Sequence, residues 1–286
     1  MGLRRRAAAA IATALPLLGL QLGPADPPSH ATPMLTGLAV PTPAPRRTTS
    51  TESPAIDDVT LASATEPVPT TDDRCRGGAV LYRGDTTRPR VALSFDDGPS
   101  PTVTPGVLEV LREHGVRATF FVLGEPAERY PDTLRAIVEA GHELGNHGWS
   151  HTSFRSLFPS QIEGELDRTA DRIEAVGGTR PRLVRPPFGR FPASSVALAA
   201  KRGEDFVLWS VDGGDTEAND ADRSAGHPAL DIANAVVRGA EPGAIVLLHD
   251  RNPATLRALP LILGGLDRKG LQVVPVSELL ERDCAR

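Results

Sequence analysis

Two adjacent carboxylates, Asp96 and Asp97, close the run Val-Ala-Leu-Ser-Phe-Asp-Asp-Gly-Pro-Ser at Val91–Ser100. The run has strand character as far as Phe95, so at its end successive side chains diverge. One carboxylate can then bind a cation while the other moves a proton. A Gly-Pro turn with two solvated acids accounts for the same residues, and on this stretch alone turn chemistry favours that reading. Further along, His147 and His151 stand four apart in Gly-Asn-His-Gly-Trp-Ser-His. A helical turn or a tight loop presents such a pair to one ion, although the spacing also arises by chance. Two imidazoles with one carboxylate leave coordination positions open for water and substrate, as a hydrolytic metal site requires and a structural one does not. His249 ends the apolar run Ile245–Leu248, and a neighbouring carboxylate, Asp215 or Asp250, would hold it protonated. The other histidines lie in linker, loop or helix-end contexts, or, as His142, just before a strand, and have structural readings.

These residues matter together only if one scaffold gathers them. Apolar runs predict strands at Val91–Phe95, Ala118–Val122, Glu143–Asn146, Leu183–Arg185, Phe206–Ser210, Ile245–Leu248 and Val273–Val276. Amphipathic stretches predict helices at Val103–Glu113, Asp132–Ala140, Ser160–Val176, Ala193–Lys201, Ala229–Arg238, Ala254–Asp267 and Ser277–Glu281. This alternation is the pattern of an α/β fold with about seven strand-helix units, its parallel sheet either closed as a barrel or open and doubly wound. In both architectures chemistry gathers at the carboxyl ends of the strands. Those ends carry Asp96-Asp97, His147 to His151, Arg185-Pro186-Pro187-Phe188-Gly189, Asp212-Gly213-Gly214-Asp215 and His249-Asp250.

Composition divides the 286-residue chain: all twelve aromatic residues fall between Tyr82 and Trp209, so the core begins near there. Arg4 to Arg6 precede a mostly apolar run, Ala7–Leu22, and Gly23-Pro24-Ala25 puts small residues where signal peptidase cuts, with Ser29-His30-Ala31 as a second cleavage candidate. Residues 1–25 are therefore expected to be a signal peptide or, uncleaved, an N-terminal anchor; the run is short of the roughly twenty residues a spanning helix needs. Residues 26–74, rich in Pro, Thr, Ser and Ala, have the composition of a disordered linker, and residues 75–286 form the predicted domain. The net charge of −5 is spread thinly without a basic stripe, which disfavours a nucleic-acid partner. Cys75 and Cys284, at the two ends of that domain, form a candidate disulfide in an exported chain.

Five segments in order, Phe-Asp-Asp-Gly-Pro, Asn-His-Gly-Trp-Ser-His, Arg-Pro-Pro-Phe-Gly, Asp-Gly-Gly-Asp and Leu-Leu-His-Asp, resemble the five motifs of the polysaccharide deacetylases, the NodB-homology or carbohydrate esterase family 4 fold, over about Ala79–Leu280. The resemblance implies a distorted (β/α) barrel and a division of roles. Asp96 matches the catalytic base, and Asp97, His147 and His151 the ligands of a divalent metal, Zn²⁺ first, with Co²⁺, Ni²⁺ or Mn²⁺ as alternatives. Arg185 matches the residue that orients the base, Asp215 the acid that tunes the catalytic histidine, and His249 that histidine. Phe188 and Pro187 from the third motif and Leu247 from the fifth would contact substrate, Leu247 beneath the acetyl methyl. The implied activity is removal of N-acetyl groups from N-acetylglucosamine-type residues of a peptidoglycan- or chitin-like polysaccharide, by a secreted or cell-surface protein expected to be monomeric, with any membrane tether confined to the N-terminus. An O-acetyl xylan esterase and an idle glycan-binding relative are the alternatives. Two positions depart from the pattern: Gly148 stands where Ser or Thr is usual, and Thr216 follows Asp215 where Trp is common.

Overall fold

The computed structural model describes residues 77–216 and 227–280. The proposed signal peptide or anchor, the linker, and both Cys75 and Cys284 lie outside the described residues, as does the middle of the polar loop after Thr216. No helix among the described residues is long and apolar enough to cross a membrane.

Nine strands are present among the described residues: β1 (Val80–Leu81), β2 (Arg90–Asp96), β3 (Thr119–Val122), β4 (Glu143–Asn146), β5 (Leu183–Val184), β6 (Asp205–Val207), β7 (Val211–Asp212), β8 (Ile245–His249) and β9 (Gln272–Val273). Every strand pairing is parallel, in the order β1-β6-β5-β4-β3-β2-β8-β7, with β9 added to the start of β2. The helices are α1 (Thr104–Glu113), α2 (Gly124–Arg129), α3 (Pro131–Glu139), α4 (Pro159–Gly177), α5 (Ala193–Arg202), α6 (Pro228–Gly239), α7 (Pro253–Arg268) and α8 (Val276–Leu279). Consecutive parallel strands require crossovers, and the intervening helices supply them. The curved parallel sheet with its flanking helices is the distorted α/β barrel that the family resemblance implies, one of the two architectures the alternation left open.

Side-chain alternation along β2 and β8 explains how the sequence builds both core and site. Val91, Leu93 and Phe95 of β2, with Val246 and Leu248 of β8, point outward into the main core, which they share with Val107 and Leu111 of α1, Val236 of α6 and Leu259 and Ile262 of α7. The intervening residues, Ala92 of β2 and Ile245 of β8, face the opposite side and pack with Phe121, Leu183, Val207 and Val276. Continuing that inner row two residues at a time reaches Ser94 and Asp96 on β2 and Leu247 and His249 on β8, and the register sets Asp96 opposite His249. Polar chemistry thus begins where the apolar floor ends.

Three local expectations are corrected. The stretch Phe206–Ser210 is not one strand, because β6 ends at Val207 and β7 begins at Val211. The Arg185 guanidinium occupies the carbonyls of Val207 and Leu208, at 3.0 and 3.2 Å, so these cannot continue a ladder. Val276, expected at the end of a strand, instead opens α8, its N–H donating to Thr119 Oγ1 at 2.8 Å. Helix α2 was not expected, since Gly124 and Pro126 are poor interior helix formers. It forms here because Gly124 N and Glu125 N donate to the carbonyls of Gly148 and Trp149.

Candidate active site

At the carboxyl end of β2, Asp96 is almost completely buried, at 2% exposure, and its Oδ1 accepts from Arg185 Nη1 at 2.7 Å. Arg185 is fully buried just past β5 and spends its remaining donors on Ser94 Oγ at 2.8 Å and the two carbonyls already named, while its guanidinium lies 4.1 Å above the Phe121 ring. This arrangement commits one oxygen of the Asp96 carboxylate to the guanidinium. Its second oxygen, Oδ2, lies 3.7 Å from His147 Nε2.

Asp97 turns the other way. Its φ of 73° places it in the left-handed region, and its Oδ1 sits 3.4 Å from His147 Nε2 and 3.2 Å from His151 Nε2. Among the described residues, Asp97, His147 and His151 are the set whose ligand atoms converge, all within 4.8 Å of one another. Two observations test whether they fit a cation. Asp97 Oδ1 is buried without a hydrogen-bond partner. His147 Nδ1 makes a 2.6 Å bond to the Arg185 carbonyl, which places its proton on Nδ1 and directs the Nε2 lone pair toward Asp97. An orphaned carboxylate oxygen facing two imidazole nitrogens is the donor set of a divalent metal, and the residues fit. Burial lowers the pKa of His151 and so favours its neutral, ligating form.

His249 is the opposite case. Burial alone would depress it, but a 2.7 Å hydrogen bond from Nδ1 to Asp215 Oδ1 and the charge of that carboxylate push it up to about 9. Of the two carboxylates the sequence left open, Asp215 is the partner. It is fully buried and also accepts from His249 N at 2.7 Å and Thr255 Oγ1 at 2.5 Å, while Asn252 Nδ2 donates to its carbonyl. The folded value lies above the ordinary 6.5. The pair's contribution to stability is therefore complete below about pH 6.5 and is lost as pH rises through about 9.

Asp250 serves elsewhere. It is fully buried, its Oδ2 accepting from Thr104 Oγ1 at 2.5 Å, and burial pushes its pKa up to about 7. Its carboxyl lies against Gly98, where an added Cβ would meet Oδ1 at 2.2 Å. A Gly98→Ala substitution should therefore cost about 1–3 kcal/mol in urea unfolding by displacing the turn that carries Asp97. A cost below about 0.5 kcal/mol would show that the turn gives way freely.

The substrate-contact residues divide by exposure. Pro187 and Leu247 are buried, while Phe188 is 59% exposed, has φ 60° and sets its ring centroid 4.5 Å from that of His151, tilted by 59°. Asp97, His151 and Phe188 are the non-glycine residues with positive φ among the described residues, and all three lie in this site. Such conformations cost about 1–3 kcal/mol each and concentrate where function requires them. Gly148 has φ 80°, which glycine adopts without strain, and its N–H is held by Asn146 Oδ1 at 2.9 Å. Thr216 is exposed beside Asp215 and supplies no aromatic side chain at that edge of the site.

Ser94, Asn252 and Thr255 escaped the sequence reading. Ser94 had a signal in its i, i+2 relation to Asp96, and Asn252 in its position before Pro253, where it caps α7 by accepting from Ala254 N at 2.8 Å. Thr255 had none.

Comparison with known proteins agrees with this geometry. The polysaccharide deacetylase family model matches residues 83–207. The peptidoglycan-N-acetylglucosamine deacetylase PgdA of Listeria monocytogenes is 36% identical over 193 residues, 68% of this chain and 39% of that protein, so the chain spans about two fifths of that relative's length. The chitooligosaccharide deacetylase of a Bradyrhizobium species is 37% identical over 213 residues, covering 68% of this chain and 93% of that one. The crystal structure of the Bc1960 peptidoglycan N-acetylglucosamine deacetylase superposes with a TM-score of 0.68 at 30% identity, over 73% of this chain and 95% of that one. With the Bradyrhizobium relative and the Bc1960 structure matched along nearly their whole length, and the five strand-end segments gathered at one end of the barrel, the chain belongs to the polysaccharide deacetylase family.

Proposed function

We propose that the protein hydrolyses the N-acetyl groups of N-acetylglucosamine-type residues in a peptidoglycan- or chitin-like polysaccharide, releasing acetate, with Zn²⁺ held by Asp97, His147 and His151. The observation that carries this reading is the convergence of that triad beside a buried carboxylate committed to Arg185 and a histidine kept cationic by Asp215. The named activities of the Listeria and Bradyrhizobium relatives support the substrate class.

Asp97, His147 and His151 would hold a divalent cation, which when bound would supply Lewis-acid polarisation of an acyl oxygen and acidification of water to a pKa of about 7. Asp96 Oδ2, the oxygen that Arg185 leaves free, accepts a proton from the attacking water as its oxygen bonds to the acyl carbon. Phe188 N–H, presented by the strained turn after β5, donates to the developing oxyanion. His249, with Nδ1 bound to Asp215, delivers its Nε2 proton to the amine nitrogen as the C–N bond breaks. Acetate and a free amine result, and solvent restores the proton on His249 and removes the one on Asp96. Leu247 floors the space for the acetyl methyl, and Pro187 and Phe188 line the sugar side.

The apolar segment behind Arg4 to Arg6 and the Pro/Thr-rich stretch after it support a secreted or wall-associated protein, cleaved or tethered at its N-terminus. Acetate release from peptidoglycan, chitooligosaccharide and acetylxylan, measured side by side, tests the substrate class. Release from the first or second is expected; release from acetylxylan alone would make the protein an O-acetyl esterase, and binding without release an idle glycan-binding relative.

The His249–Asp215 pair adds a pH dependence. Turnover should fall as pH rises through about 9, where His249 loses its proton. Asp215→Asn should move that alkaline limb toward the ordinary imidazole value of about 6.5 and lower the maximum rate. An unmoved limb in the pH–kcat profile would remove His249 as the proton donor.

A further inference from the structure

His147 and His151 are held by different means. His147 follows β4 directly, its N–H bonded to the Val122 carbonyl at 3.0 Å and its ring to the Arg185 carbonyl. His151 lies outside any strand or helix, with a positive φ and a partly exposed side chain. The three residues between them must therefore be fixed from outside. Gly124 N and Glu125 N of α2 hold the Gly148 and Trp149 carbonyls, and Glu165, on α4, holds the amide side nearest His151: its Oε2 accepts from both Trp149 N and Ser150 N at 2.8 Å, and its Oε1 from Ser150 Oγ at 3.0 Å. Arg168, one turn further on, lies 3.8 Å over the Trp149 ring, and Asn146 Nδ2 donates to the Leu166 carbonyl at 2.8 Å.

We infer that Glu165 is a positioning residue for the metal centre, its carboxylate clamping the loop between the two histidines so that His151 Nε2 is preset toward Asp97. The inference rests on the reading of Asp97, His147 and His151 as metal ligands. One carboxylate oxygen binding two consecutive N–H groups forces them to point the same way, a geometry the free loop would seldom adopt. Removing the carboxylate releases both amides and the Ser150 hydroxyl together, so metal binding would have to order the loop that Glu165 now holds in place. An amide at the same position retains one oxygen for the two N–H groups and turns its NH₂ toward a hydroxyl that can accept.

Zn²⁺ affinity, measured by competition with a chromophoric chelator on the parent protein and the Glu165→Ala, Glu165→Gln and His151→Ala variants, tests this. Melting of the metal-free forms is followed in parallel. Glu165→Ala should weaken Zn²⁺ binding about 10- to 100-fold with little change in metal-free melting, and Glu165→Gln should recover all but about threefold of it. Should the alanine variant fail to fold, Glu165→Asp, which withdraws the carboxylate by one methylene, should show a loss of about fivefold or more. Parent-like affinity in Glu165→Ala, or in Glu165→Asp if that variant stands in for it, with binding lost in His151→Ala, would overturn the clamp and leave the metal site intact. A parent protein that takes up no Zn²⁺ would overturn both.

Discussion

Asp97→Ala should lose its divalent metal and its turnover together, whereas Asp96→Asn should keep the metal and lose turnover alone. The two residues are neighbours in sequence, yet their surroundings separate them. Asp97 carries the orphaned oxygen between the two imidazoles, so truncation removes a ligand atom from the triad. Asp96 has committed Oδ1 to Arg185. An asparagine there can present its carbonyl oxygen to the same guanidinium, leaving an amide nitrogen that cannot take a proton from water. The rate loss for removing such a base is about 10²- to 10⁴-fold. Metal content after dialysis, with acetate release on the same samples, separates the cases. Equal metal loss in both variants would contradict the division of labour.

Arg185→Met should be among the most destabilising single substitutions in the domain, by about 3–5 kcal/mol in urea unfolding of the metal-free protein. Methionine fills much of the volume above Phe121 but restores none of the donors. The Asp96 carboxylate would remain buried without its guanidinium partner, and the Val207 and Leu208 carbonyls would lose the donors that Arg185 places in the gap between β6 and β7. Lysine is a poor substitute, because a single ammonium cannot reach Asp96, Ser94 and both carbonyls with the fork geometry of a guanidinium. A cost below about 1 kcal/mol for Arg185→Met would show that the buried pair is not what organises this end of the barrel.

The residues legible in the sequence are those whose position follows from strand periodicity. Asp96 and His249 end apolar runs, and the alternation that sends Phe95 and Leu248 outward must send them inward. The parallel sheet and its reacting end follow from the same pattern, while the choice of a barrel over an open sheet came from the five-motif resemblance. What the sequence hid depends on side chains reaching across the fold. The break between Val207 and Val211 is caused by an arginine some twenty residues earlier, which no local propensity encodes. Glu165 and Thr255 sit on helices whose charged and polar residues look like solvated surface, and only the structure shows that one faces the histidine loop and the other Asp215. Neither of the two departures, Gly148 and Thr216, displaces a ligand or proton-transfer group.

The most direct measurement is acetate release from an N-acetylglucosamine polymer by the purified protein as isolated, after chelation, and after Zn²⁺ is restored. Release that disappears on chelation and returns with stoichiometric Zn²⁺ is the expected result. Protein carrying one Zn²⁺ per chain that frees no acetate from peptidoglycan or chitooligosaccharide would contradict a metal-dependent deacetylase built on Asp96, Asp97, His147, His151 and His249.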